Sequence, residues 1–173
     1  MEAKASLGRV AELSIARHRE LAAEITKAGG KVADAMQPYR AGVDEFERVT
    51  RGGDWYETVV ACYITAGFLD DFFARLSVGL ASEPAKRIAA IYARESGESL
   101  LAEQLTVAIS EHPRLESRLA MWGRRLVGDT MLVAGSALHF TENHKSDAAR
   151  VEPVFTELIA AHTRRMDALG LTA

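Results

Sequence analysis

The segment from Asp54 to Leu80 constrains this chain most, because it reads as one long helix with acids on its apolar face. In steps of three and four residues, that face carries Glu57, Val60, Ile64, Gly67, Asp71, Ala74 and Val78. This spacing is typical of a helix packed in a bundle. Glu57 and Asp71 point within about 40° of each other on such a helix. Because buried carboxylates are costly unless something compensates them, the next question is whether other helices supply more acids of this kind.

Length and composition indicate one all-α domain. The chain has 173 residues, of which 48% are hydrophobic and 26% charged. A globular chain of this size needs no disulfide or metal merely to fold. No alternation of β-branched residues persists as it would in strands, and three of the four prolines lie near predicted helix starts, where proline is tolerated. We expect a single helical domain over residues 1–173.

Several function classes are disfavoured by the same sequence. The net charge is -3 and no basic run is present, which speaks against a dedicated nucleic-acid-binding surface. No apolar run approaches the ~20 residues of a membrane span, and the N-terminus lacks a signal-peptide layout. The single cysteine, Cys62, excludes an intrachain disulfide and fits a reducing compartment. We therefore expect a cytoplasmic protein with no membrane contact.

Periodicity and turn residues divide the chain into helices. We predict them over residues 5–28, 31–50, 54–80, 82–110, 113–140 and 150–169, with an irregularity at Pro38 and a loop over 141–147. Asp54 with Glu57 three residues later is close to a capping box, and Gly170 ends the last helix. Two topologies stay open. The core is either the last four long helices, or residues 5–28 with the next three and 31–50 as a crossover.

Further acids lie on the apolar faces of the following helices. Glu95 and Glu98 interrupt the face of residues 82–110, Asp129 interrupts that of 113–140, and the last helix offers His162. Carboxylates and imidazole converging inside a helical bundle are what a di-iron or di-manganese site is built from. The candidate metal ligands are Glu57, Asp71, Glu95, Glu98, Asp129 and His162.

Each of these residues also has a purely structural interpretation. An acid in a first helical turn, such as Glu57, is favoured by the helix dipole, and Arg124 and Arg125 are placed to pair with Asp129. A lone histidine on an apolar face, such as His18 or His162, is more often a hydrogen-bonded core residue.

Asp70 is expected to be the solvated neighbour of Asp71. His139 with Glu142 is a weak ligand pair, and no phosphate loop or nucleophile elbow is present.

Four segments resemble an actinobacterial group of ferritin-like proteins. That group is described as similar to the tRNA hydroxylase acting on 2-methylthio-isopentenyl-adenosine (MiaE-like). The segments are 54–57, 69–72, 118–129 and 162–171, and the run Trp-Gly-Arg-Arg-Leu-Val-Gly-Asp ending at Asp129 is the most distinctive. The resemblance implies an antiparallel ferritin-like bundle with an extra N-terminal or C-terminal helix. It also implies an oxygen-activating di-iron centre, with a single Glu from each of two helices and Glu-x-x-His from each of two others.

The match to that ligand pattern is incomplete. By resemblance, Glu57 fits a first-helix ligand and Glu95 the Glu of a second-helix motif. However, Glu98 stands where its His belongs, and Asp129 stands where relatives carry Glu. No Glu-x-x-His occurs in this sequence.

Two hypotheses follow. The first is a hydroxylase with two iron or manganese ions, acting on a modified nucleoside or small molecule, with tRNA as a partner by resemblance. In this hypothesis, Asp71 is a further metal ligand or an acid next to the ligands. His162 is a metal ligand or a group that orients one. The second is a scaffold without catalytic metal, expected to form a homodimer, that serves in ligand binding or protein association. Its acids would line a small-ligand pocket or pair with arginines, namely Arg124, Arg125, Arg164 or Arg165.

Overall fold

The computed structural model describes residues 2–78, 82–138 and 144–172, with side chains described except at 78 and over 133–153. The described residues form α-helices joined by short turns, with no strand among them. The helices are α1 (Glu2–Lys27), α2 (Val32–Met36), α3 (Arg40–Thr50), α4 (Trp55–Val78), α5 (Glu83–Tyr92), α6 (Glu98–Glu111), α7 (Arg114–Leu138) and α8 (His144–Ala168). A 3-10 turn at Gln37–Tyr39 contains Pro38 and joins α2 to α3. The predicted all-α class is confirmed, as is the irregularity at Pro38.

Helix α4 is the central helix and packs against α5, α6, α7 and α8. It runs in the same direction as α7, because Arg118 near the start of α7 lies 2.6 Å from Asp54 at the start of α4. Helix α6 runs the opposite way, since His112 just after its end contacts Tyr56. Helix α8 is also antiparallel to α4. Consecutive long segments therefore alternate in direction, as expected for an antiparallel bundle.

The core forms where the apolar faces of these four segments meet. Val60, Ile64 and Gly67 on the predicted face of α4 are all buried, which confirms that face. A larger cluster joins α4 to α6, α7 and the end of α8, and a smaller one consists of Phe68, Phe72 and Leu158. Full burial of one such side chain contributes roughly 1.5–3 kcal/mol, so these contacts hold the bundle together.

Helix α1 is the extra helix. None of its residues is fully buried. It packs against α5 and α6, and its Leu7 and Val10 contact the edge of the larger core cluster as partly buried side chains. It runs antiparallel to α5 and α6, with Glu24 bonded to Arg87 at 2.8 Å and Ser6 near Gln104 at 3.5 Å. The core is therefore built from the last four long segments, which is the first of the two topologies left open by the sequence.

Two predicted boundaries are wrong. The helix expected over 82–110 is broken between Tyr92 and Glu98, where Gly97 adopts φ +82. A Cβ there would lie 2.8 Å from Cγ2 of Val10 on α1, so glycine permits both the turn and the close approach of α1. The apolar spacing continues across the break and hides it.

The last helix begins at His144 rather than near residue 150, because polar composition does not prevent a helix from starting. Residues 139–143, including His139 and Glu142, lie outside the described residues.

Among the described residues, no helix is both long enough and apolar enough to cross a membrane.

Candidate functional site

Glu57 belongs to the cap of α4. Its backbone N–H donates to Oδ1 of Asp54 at 2.9 Å, and its Oε2 accepts from the N–H of Gly53 at 2.8 Å. Arg118 closes the arrangement, 2.6 Å from Asp54 and 3.8 Å from Glu57. The hydrogen bond from the Glu57 N–H lowers the pKa of Asp54. The predicted capping interaction is confirmed, and the Glu57 carboxylate is engaged at the helix end.

Asp71 and Glu98 are joined by one arginine from the last helix. The Nη2 of Arg165 donates to Oδ2 of Asp71 at 2.9 Å, and its Nε donates to Oε1 of Glu98 at 2.7 Å. Only 12% of the Arg165 side chain is exposed. Burial by itself would lower the pKa of Arg165, but the charges of Glu98 and Asp71 outweigh it, so the pKa is raised. The guanidinium thus supplies the compensating charge that the acids of α4 and α6 require.

Gly67 makes this bridge possible. It is buried on α4, and Arg165 crosses the helix directly over it. A Cβ at position 67 would lie 2.8 Å from Cζ of Arg165 and 3.1 Å from its Cδ. Gly67, which the sequence placed on an apolar face, therefore leaves the space through which the Arg165 side chain reaches Glu98.

Glu95 and Asp129 lie apart from this bridge. Glu95 is exposed in the α5–α6 turn, so it does not share a helix face with Glu98 as the sequence predicted. Asp129 lies 3.7 Å from Arg125, the pairing that its spacing indicated. Its Oδ2 is shielded from solvent and has no hydrogen-bond partner among the described residues. Arg124 instead donates to the carbonyl of Thr172 at 2.6 Å.

His162 is buried between the two apolar clusters, with 3% of its surface exposed. One turn before it lies Leu158 of the smaller cluster, and one turn after it Met166 of the larger. Neither ring nitrogen has a hydrogen-bond partner among the described residues. Burial, followed by the charge of Arg165, lowers the pKa of His162 and favours the neutral imidazole. His18, predicted on an apolar face, is exposed.

A groove lies beside the Arg165 bridge, between α1 and α4, and the start of α6 closes one end. Its volume is about 350 Å³. On one wall, Nη1 of Arg17 lies 2.6 Å from both carboxylate oxygens of Asp70, and the guanidinium stacks 5.4 Å from the ring of Tyr92. The prediction that Asp70 is solvated is wrong, because α1 covers it. Glu98 and Cys62 also line the groove.

Comparison with protein families identifies the scaffold. Residues 1–142 match the family described as "Ferritin-like domain, actinomycetes". The chain belongs to this family. A search of curated proteins finds no match to it. The ferritin-like bundle expected from the resemblance is thereby confirmed.

The acids of this ferritin-like chain do not fit a di-metal centre in the described structure. Among the described residues, no three His, Cys, Asp or Glu side chains are grouped so that they could hold a metal ion. Glu57 is bound at the end of α4, Glu95 lies in a turn, and Asp71 and Glu98 share Arg165.

Sequence reasoning missed the two residues that build the groove wall, Arg17 and Asp70. They are 53 positions apart, and no local spacing links them. The one available signal was the second carboxylate beside Asp71, because no basic residue lies within four positions of Asp70.

Proposed function

We propose that this ferritin-like protein is a binding scaffold without catalytic metal, which holds a small molecule in the groove between α1 and α4. The observation that supports this most is the bridge from Arg165 to Asp71 and Glu98. Hydrogen bonds to charged groups contribute about 1.5–3 kcal/mol each. A metal ion at these carboxylates would have to displace a largely buried guanidinium from both of them.

The groove supports the binding half of the proposal. Its volume of about 350 Å³ lies within the range of small-molecule sites. Apolar walls and a few charged groups at one end are the usual composition of such sites. We place the protein in the cytoplasm, where Cys62 stays reduced. Association into a homodimer remains a prediction.

The competing proposal is a MiaE-like hydroxylase with two iron or manganese ions and a modified nucleoside or tRNA as substrate. Its support is the resemblance of four sequence segments. It requires Arg165 to leave Asp71 and Glu98, and Glu95 to leave the α5–α6 turn. No observation on the described residues favours those rearrangements.

Elemental analysis of protein purified without chelators separates the two proposals. We expect far less than one equivalent of iron or manganese per chain, and no change in melting temperature on chelation. Arg165→Met should destabilise the bundle, whereas Arg164→Met, at an exposed position one residue earlier, should not. Two equivalents of metal, lost in Glu57→Ala and Glu98→Ala, would overturn the scaffold proposal and support the hydroxylase.

A further inference from the structure

We propose that the groove between α1 and α4 takes a small amphipathic cation, an amine whose ammonium contacts Glu98 and whose apolar body lies along α4. This inference rests on the proposed function, because a metal at Glu98 would occupy the carboxylate that the amine needs.

The charged side chains around the groove do not balance. Arg17 pairs with Asp70 at 2.6 Å, and Arg165 pairs with Asp71 at 2.9 Å and with Glu98 at 2.7 Å. Among the described residues of this network, three carboxylates therefore face two guanidinium groups. This network therefore carries one net negative charge, which is shared by Asp71 and Glu98, the two carboxylates that Arg165 bridges.

Accessibility favours a cation over an anion. The remaining Nη2 of Arg17 and Nη1 of Arg165 are shielded from solvent, so an incoming anion cannot reach these guanidinium atoms. The Glu98 side chain is 38% exposed, and only its Oε1 accepts a hydrogen bond from the described residues. Glu98 lines the groove with a partly exposed carboxylate, and an ammonium donates to such an oxygen with favourable geometry.

The pKa values of two neighbouring groups are raised, chiefly by burial. Burial raises the pKa of Asp70, with further increases from Glu98 and Asp71 that oppose the effect of Arg17. Burial also raises the pKa of Tyr63, with a further increase from Glu98 that opposes the effect of Arg165. A ligand cation next to Glu98 would offset the carboxylate charge that these two groups experience.

The walls of the groove define the rest of the ligand. Away from Glu98, the walls are mostly apolar, with small side chains that leave space along α4. The apolar wall residues are Val10, Cys62, Ala66, Leu69 and Leu101. A compact apolar body fits there, because it removes these side chains from water without leaving polar groups unpaired.

The test uses Cys62, which is the only cysteine in the chain and lies in the groove. We would measure its alkylation rate by iodoacetamide with and without 2-phenylethylamine, 2-phenylethanol or 3-phenylpropionate. The measurement is made at about pH 8, where an alkylamine is protonated. At a concentration ten times its dissociation constant, 2-phenylethylamine should slow the alkylation of Cys62 about tenfold by mass action. The alcohol and the carboxylate, which share the phenyl group, should protect far less.

Variants assign the protection to Glu98. Glu98→Gln keeps an oxygen that accepts from Arg165 but removes the charge, so the protein stays folded and protection by the amine is lost. Glu103→Gln removes a carboxylate from an exposed position of the same helix and should leave protection intact. Ala66→Phe fills the groove and should remove protection without changing any charge.

Three outcomes overturn the inference. If 2-phenylethanol protects Cys62 as well as the amine does, the groove is an apolar site that does not select for charge. If 3-phenylpropionate protects Cys62 better than the amine, the groove prefers an anion. No protection by any probe, in protein found free of metal, would exclude the amine and leave the scaffold proposal standing. Stoichiometric metal lost in Glu98→Ala would instead refute the scaffold proposal itself.

Discussion

Replacing Gly67 by alanine tests whether Arg165 is held over α4 as described. The new Cβ would lie 2.8 Å from Cζ of Arg165, well inside ordinary van der Waals contact, so the guanidinium must move. A shift of about 1 Å carries its hydrogen bonds, now 2.7 and 2.9 Å long, beyond the ~3.5 Å at which such bonds fail. Gly67→Ala should therefore break the bridge between α4, α6 and α8.

The expected magnitude combines two opposing effects. Loss of two charge-assisted hydrogen bonds costs about 3 kcal/mol when each is taken at the low end of ~1.5 kcal/mol, because Asp71 and Glu98 regain water. Alanine recovers about 1 kcal/mol over glycine inside a helix. The net loss is about 2 kcal/mol, which for a domain of this length lowers the melting temperature by roughly 4–8 °C.

Urea denaturation and thermal melting followed by circular dichroism measure this change. Gly128→Ala is the matched control, because Gly128 is exposed within α7 and a Cβ there meets nothing within 4 Å. The control should be stabilised by up to about 1 kcal/mol. If Gly67→Ala is as stable as Gly128→Ala, the arginine does not cross α4 at this position and the reasoning is refuted.

Three further predictions follow from the caps and the buried histidine. Asp54→Ala should lower the free energy of unfolding by about 1–2 kcal/mol in urea titrations, since it removes the N-cap of α4. Gly97→Ala should loosen α1 and speed its proteolysis, because a Cβ at φ +82 also meets Val10. The lowered pKa of His162 means that the unfolded chain binds its proton first, so this residue's contribution to stability falls as pH drops below about 6.5. His162→Leu should weaken the fall in melting temperature between about pH 8 and 5.5.

Each of these predictions has a control elsewhere in the chain. Asp44→Ala, on an exposed acid of α3, should change stability by less than about 0.5 kcal/mol. Gly8→Ala, where a Cβ meets nothing within 4 Å, should not speed proteolysis of α1. His18→Gln, which removes a histidine from an exposed position, is the matched control for His162→Leu. The corresponding prediction fails if the control and the test variant behave alike.

The sequence determined those features of this protein that depend on residues close together along the chain. The all-α class and the buried face of α4 follow from apolar spacing, which any α-helix converts into one side. The cap formed by Asp54 and Glu57 and the helix end at Gly170 follow from hydrogen bonds within a few residues. Carboxylates on an apolar face also indicate that their negative charge must be compensated, because the cost of burying a charge does not depend on the fold.

Only the tertiary structure decided what supplies that compensation. Arg165 was one of four arginines that the sequence could offer. Its partners lie 94 and 67 positions away, at Asp71 and Glu98, and Asp70 finds Arg17 on a helix that no spacing placed beside it. The break at Gly97 was hidden because the apolar spacing continues through it. Local patterns specify that a charge must be paired, but the packing of distant helices selects the partner, because electrostatic attraction depends on distance in space and not along the chain.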